Sequence, residues 1–257
     1  MLLAIDSGNT NIVFAVFGDD GKVLGEWCIS TTSNSTADEF GVWLLRVMEM
    51  QDLDPSNIDA AIIATVVPAN LSALTHMCER YFHATPLVVG EAGVDLGIKV
   101  LLDNLAEVGA DRLVNAVAAG DAHGGSLICV DFGTATTFDV IDADGNYVGG
   151  AIAPGINLSL EALHAHAAKL PRVAVERPAR VIGTGTVSAM QSGIYWGYVS
   201  MIEGMVARIT EEYGAPMKVI ATGGLSAMFS QATNVIEVTE PDLTLRGLYT
   251  IYNKNRS

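Results

Sequence analysis

Short apolar runs alternate with small polar loops along this chain, and one such pattern occurs twice. Leu2-Leu3-Ala4-Ile5 leads into Asp6-Ser7-Gly8-Asn9-Thr10-Asn11, and Leu127-Ile128-Cys129-Val130 leads into Asp131-Phe132-Gly133-Thr134-Ala135-Thr136-Thr137. Each loop is followed by a second apolar run and an Asp-Gly pair, Asp20-Gly21 or Asp144-Gly145. The second copy lies 125 residues after the first at the Asp and 124 at the turn, in a chain of 257. Apolar runs of this length between turn residues predict strands, and Asp-Gly favours a hairpin. Strands are expected at 2–5, 12–17 and 22–29, and again at 127–130, 137–141 and 147–153. Further strands are expected at 60–67, 86–89 and 218–221. Helical spacing predicts helices over 38–50, with Phe40, Leu44, Val47 and Met48 on one face, and over 71–82 and 113–119. Two more are expected, one starting near Asn157 and one over 188–213. Together these predict a mixed α/β fold in two similar halves, 1–115 and 116–257. No low-complexity linker separates them, so close packing around a cleft is expected.

The loops suggest a chemistry. Glycine lets the chain turn tightly at the end of a strand, and exposed backbone N–H groups can then face an anion. A carboxylate at the head of such a loop repels bare phosphate, so it fits beside phosphate only with a cation between them. A plain polar hairpin explains one copy alone. Two copies half a chain apart favour the phosphate reading.

Composition narrows the function. Half the residues are apolar, enough for a sizeable core, and the net charge of -15 argues against nucleic acid as a partner. Any polyphosphate must then be held by backbone amides and metal rather than by a basic cluster. Cys28, Cys78 and Cys129 are scattered, so neither a disulfide framework nor a zinc site is expected, and all three read as buried inert thiols. The apolar start is interrupted by Asp6 and lacks a basic region, unlike a secretory signal. The longest apolar stretch, 60–68, is too short to span a bilayer, and a cytoplasmic protein is expected with no membrane partner.

There is no P-loop motif, and Gly183-Thr184-Gly185 lacks the third glycine of a dinucleotide loop. Gly109-Ala110-Asp111-Arg112 puts an acid beside a guanidinium at a loop-to-helix junction. Asp111 fits a helix cap and a base for phosphoryl transfer about equally. Thr222-Gly223-Gly224 after a strand fits either a plain turn or close approach to a nucleotide. Gly193, Gly197 and Gly204 in the long helix fit either internal packing or an oligomer interface.

These motifs, with Gly149-Gly150-Ala151-Ile152-Ala153-Pro154-Gly155, occur in the order and spacing of type III pantothenate kinases, and the chain resembles that family over nearly its whole length. The resemblance implies two tandem ribonuclease-H-like (actin-like ATPase) domains with an interdomain cleft, as in acetate and sugar kinases, heat-shock chaperones and actin. It implies ATP-dependent phosphorylation of pantothenate to 4'-phosphopantothenate, the first step of coenzyme A synthesis. Carried over by position, Asp6, Ser7, Gly8, Asn9, Thr10, Asn11, Ile12 and Val13 form an ATP loop, with Thr134 also on ATP. Asp111 is the general base, lining the pantothenate site with Gly109, Ala110 and Arg112, and Thr186 touches the substrate. Asp131 holds a monovalent cation, potassium or ammonium, and a divalent cation, magnesium, accompanies ATP. Members of the family are cytoplasmic homodimers. The family's Tyr-Asp-Asn-Pro stretch reads Leu102-Asp103-Asn104-Leu105 here, which alters the pantothenate pocket but leaves the acid and the guanidinium in place. A non-catalytic regulator like the Bvg accessory factor, or a kinase of this superfamily for another small alcohol, are the alternatives.

Overall fold

The computed structural model describes every residue except Ser33, Leu105, Ala106, Ala168 and Ser257. In chain order its elements are β1 (Leu2–Ser7), β2 (Asn11–Phe17), β3 (Val23–Ser30), α1 (Ala37–Glu49), β4 (Ala60–Thr65), α2 (Pro68–Phe82), β5 (Pro86–Val88) and α3 (Ala110–His123). There follow β6 (Leu127–Phe132), β7 (Ala135–Ile141), β8 (Tyr147–Pro154), α4 (Ile156–His166), α5 (Thr186–Tyr213), β9 (Lys218–Gly223), α6 (Ser226–Ser230), β10 (Val238–Thr239) and α7 (Leu243–Asn255).

Two five-stranded sheets result, ordered β3-β2-β1-β4-β5 and β10-β9-β6-β7-β8. In each, three antiparallel strands are followed by two parallel ones. The duplication reaches fine detail. Gly18 N–H donates to Lys22 O and Gly21 N–H to Gly18 O; Asp142 N–H donates to Asn146 O and Gly145 N–H to Asp142 O. Gly21 and Gly145 adopt φ of 76° and 81°, the left-handed turn geometry that a side chain resists. Both second strands carry an irregularity in register at the same place, Val16/Phe17 and Val140/Ile141.

The chain divides into two units, residues 1–123 with 243–257, and residues 124–242. This differs from the expected 1–115 and 116–257. Position 115 lies inside α3, whose apolar face runs on without a break, and α7 returns to the first unit. Leu245, Leu248 and Ile251 of α7 bury themselves with Leu2 and Ala4 of β1 and with Ala110, Val114 and Val117 of α3. The other face of the first sheet packs Leu3, Ile5, Phe14 and Val16 against Phe40, Leu44 and Met48 of α1 and Leu74, Met77 and Cys78 of α2. A capping box, Thr36 with Glu39, starts α1. In the second unit, Ile128, Val130, Phe138 and Val140 pack against Tyr195, Tyr198, Val199, Ile202 and Val206 of α5.

The expected elements are present, and several run longer than their apolar runs. β1 and β6 continue through the loop aspartates because the backbone keeps pairing after the side chains turn polar. Of the three cysteines, Cys78 and Cys129 are buried but Cys28 is exposed, which corrects the expectation for that residue. Cys28 sits on β3, an edge strand whose alternate positions face outward.

The α3–α7 contact is tight at Gly247, where a Cβ would collide with the carbonyl oxygen of Val114. Gly247→Ala is therefore expected to destabilise the protein by about 1–3 kcal/mol in chemical denaturation. An unchanged midpoint would show that α7 does not clamp the first unit.

Candidate active site

In the first unit the candidate residues gather at the carboxyl ends of β1 and β4, the edge where open α/β sheets place their ligands. Asp6 is paired across β2 with Val13 and across β4 with Ala64. Alternation along β1 puts Asp6 on the face of Leu2 and Ala4, the face that α3 covers. The next residue, Ser7, points to the opposite face and is fully buried. Gly8, Asn9 and Thr10 then form a three-residue loop. Gly8 N–H donates to Asn11 O at 3.0 Å, while Thr31 clasps the loop through Oγ1 to Gly8 O at 2.6 Å and N–H to Thr10 O at 2.8 Å. Asn9, Thr10 and Asn11 are exposed. Ile12 is fully buried in the core and Val13 is half-buried against the α3 face, so the side chains available to a ligand belong to the residues before them.

Asp111 stands in the first turn of α3. Its Oδ1 accepts the Arg112 N–H at 2.8 Å, while Gly109 O accepts the N–H groups of Arg112 and Leu113. Asp111 therefore lies inside the helix rather than at its cap. Gly109 is what gives the carboxylate its room: a Cβ there would lie 2.6 Å from Asp111 Oδ1 and 3.1 Å from Val66 Cγ1. Burial pushes the Asp111 carboxyl above its usual range, against the lowering effects of the Arg112 N–H and charge. Ala110 is buried and Arg112 half-buried.

In the second unit Asp131 occupies the position on β6 that Asp6 occupies on β1, opposite Thr137 on β7 and Thr222 on β9. Its loop is one residue shorter, only Gly133 and Thr134, closed by Gly133 N–H to Ala135 O at 3.0 Å. Oxygen atoms crowd this end of the sheet. A Cβ on Gly223 would lie 2.5 Å from Asp131 Oδ1 and 2.7 Å from Phe132 O. A Cβ on Gly155 would collide with Thr134 O and lie 2.6 Å from Gly133 O. Thr134 is exposed. A carboxylate with backbone carbonyls and no soft ligand is the donor set of a hard cation, so the residues at Asp131 fit the monovalent ion. Behind Asp131, burial first, then Asp139 and Asp131, pushes the Cys129 thiol well above its usual range, which leaves it unreactive.

The structure thus brings Asp6, Gly109 and Asp111 to one edge of the first sheet, and Asp131, Thr134 and Gly223 to one edge of the second. Thr186 is exposed at the first position of α5, in the second unit. Leu102 is half-buried, and Leu105 lies outside the described residues. Sequence reasoning did not assign Gly223 to the Asp131 carboxylate. The signal was there in the parallel β6–β9 pairing implied by two strands each ending in a polar, glycine-bearing loop.

Two sheets of this order, each with an acidic loop after its first strand, define a protein of the actin-like fold class. Solved structures agree on the fold: a Campylobacter jejuni protein described as a Baf family transcriptional activator aligns with TM-score 0.62 at 18% identity over 98% of both chains. The activator of 2-hydroxyisocaproyl-CoA dehydratase from Clostridium difficile aligns with TM-score 0.57 at 10% identity, covering 99% of this chain and 95% of that one. The type III pantothenate kinase family model matches residues 2–208. Type III pantothenate kinases of Rhodospirillum rubrum and Paramagnetospirillum magneticum are 62% and 64% identical, covering 100% and 99% of this chain and 99% and 98% of theirs. The chain belongs to the type III pantothenate kinase family. Its activity is the ATP-dependent phosphorylation of pantothenate that opens coenzyme A synthesis, and it uses a divalent cation with ATP.

The raised Asp111 carboxyl sets a direction for the pH profile. The folded value lies above the unfolded one, so ionising Asp111 costs stability as pH rises through that window. As pH falls through the folded value the carboxylate takes a proton and can no longer accept one. A base at Asp111 would give kcat/KM an acid limb above the ordinary aspartate range of about 4. A profile flat down to that range would exclude Asp111 from that role.

Proposed function

We propose that Asp111 is the general base of the reaction. The observation that carries this reading is its half-buried carboxylate, placed by Gly109 at the carboxyl end of β4 and destabilised in its charged form. As the primary hydroxyl oxygen of pantothenate bonds to the γ-phosphorus of ATP, its proton passes to Asp111. The bond from that phosphorus to the β–γ bridging oxygen breaks, and ADP leaves with the electron pair. Gly109, Ala110 and Arg112 line the pantothenate site beside Asp111, and Thr186 contributes a hydroxyl to the substrate. The loop from Asp6 to Asn11, backed by Ile12 and Val13, holds the outer phosphates. Asp6 would hold the divalent cation, which would supply charge neutralisation to the phosphates. Thr134, exposed after β6, contacts the ATP phosphates. Asp131 and the Phe132 carbonyl would hold potassium or ammonium, which would offset the charge of the nucleotide.

Two further features belong to this reading. The exposed apolar residues of the second unit include Ile152, Leu158, Leu163, Val181, Val187 and Ile182, the last 81% exposed. Of the α4 residues only Ile156 is buried. A Cβ on Gly193 or Gly197 of α5 would meet nothing, so these glycines are not explained by packing within the chain. A homodimer that covers this surface accounts for both. Among the described residues no helix is long and apolar enough to cross a membrane, and we place the enzyme in the cytoplasm, where ATP is supplied.

Asp111→Asn is expected to lower kcat by about 10²–10⁴-fold in a coupled ADP-release assay. Its melting temperature should hold or rise, because a buried charge is removed. Turnover within threefold of the parent would exclude Asp111 as the base. Ile182→Asp combined with Leu158→Asp is expected to shift the dimer towards monomer in sedimentation velocity; a sedimentation coefficient unchanged from the parent would place the interface elsewhere.

A further inference from the structure

One face of the second sheet carries a row of polar side chains of which the reaction described above uses Asp131 but not its neighbours. On β6, Cys129 and Asp131 share that face; directly opposite on β7 stand Asp139 and Thr137 respectively. Asp139 is fully buried, an unusual place for a carboxylate in the middle of a strand. Two hydroxyls hold it: Thr137 Oγ1–H donates to Oδ2 at 2.9 Å, and the buried Tyr147 Oη–H donates to Oδ1 at 2.8 Å.

The direction of the first bond matters. A threonine hydroxyl has one proton, and Thr137 donates it to Asp139. The lone pairs of that oxygen are left for other partners. Thr137 is half-buried and stands directly across from Asp131, where facing Cβ atoms lie roughly 4.5–5.5 Å apart. A free threonine hydroxyl there would donate to Asp131 and weaken its hold on a cation. With its proton taken by Asp139, the same hydroxyl adds an oxygen to the site instead.

We infer that Thr137 Oγ1 is a ligand of the monovalent cation at Asp131, and that Asp139 is the positioning residue that keeps this oxygen an acceptor. Tyr147 fixes the carboxylate from its other side. The inference rests on the proposed cation role of Asp131.

The test uses the full-length enzyme with potassium, rubidium or sodium chloride at constant ionic strength. It reads both the rise in melting temperature with potassium and the potassium concentration giving half-maximal turnover. The parent enzyme comes first: if neither readout depends on potassium, the cation role of Asp131 fails, and the inference with it. If the parent depends on potassium, Thr137→Val, which keeps the shape and the strand propensity, is expected to raise the half-maximal concentration at least tenfold and to abolish most of the potassium-induced melting shift. Thr137→Ser restores both, because it keeps the oxygen. Asp139→Asn, whose amide N–H can donate to Thr137, follows Thr137→Val. A Thr137→Val enzyme with the parent's potassium dependence overturns the inference, as does Asp139→Asn with that dependence intact. Circular dichroism of each variant establishes that it is folded. A variant of Asp139 that fails to fold leaves the decision to the Thr137 pair.

Discussion

Register between the first two strands of each sheet is the constraint on which the site depends. β1 and β6 are central strands, and their leading residues, 2–5 and 127–130, are buried on both faces. Nothing about those side chains distinguishes one face from the other. The antiparallel partner does: Asp6 faces Val13 and Asp131 faces Thr137. A slip of one residue would turn each aspartate to the opposite face of its sheet, into a hydrophobic core, where an unpaired charge costs several kcal/mol. The Asp-Gly turns at the far ends of the hairpins, with their left-handed glycines, hold the register fixed.

The same hairpin yields two different grips because one loop is a residue shorter. Gly8, Asn9 and Thr10 leave a polar, exposed loop after β1, clasped from outside by Thr31. After β6 only Gly133 and Thr134 turn the chain, and the carbonyls of residues 132–134 draw in towards Gly223 and Gly155. The first arrangement leaves polar side chains exposed after the strand. The second collects carbonyl and carboxylate oxygens at the end of the sheet. One residue fewer in a duplicated motif separates the two geometries.

Much of this was legible in the sequence. The duplicated loops, their spacing and the Asp-Gly turns announced two like sheets, because hydrophobic period and turn chemistry are local properties. The strand ends were not legible: Asp6, Ser7, Asp131 and Phe132 continue their strands through backbone pairing that an apolar pattern does not record. The destination of α7 was not legible either, since only tertiary packing against Val114 and Leu2 returns the last helix to the first unit. At the site, Asp111 could be singled out by its neighbours in sequence, but its place inside the helix rather than at the cap depends on the backbone of Gly109. Asp139 gave no signal, because a lone acid in an apolar strand reads as an exposed position until its two hydroxyl partners are seen. Exposed Cys28 reads as buried for a related reason: sequence does not tell an edge strand from a central one.

The return of α7 also orders the birth of the molecule. Residues 124–242 form a unit that is continuous in sequence, so translation delivers it whole. The unit of residues 1–123 needs residues 243–255 to cover the α3 side of its sheet, and these are translated after the whole of 124–242. The half encoded first is thus completed after the half that follows it, and until then Leu2, Ala4 and Val114 lack the cover of Leu245, Leu248 and Ile251, an interval in which the nascent chain is open to chaperones and proteases.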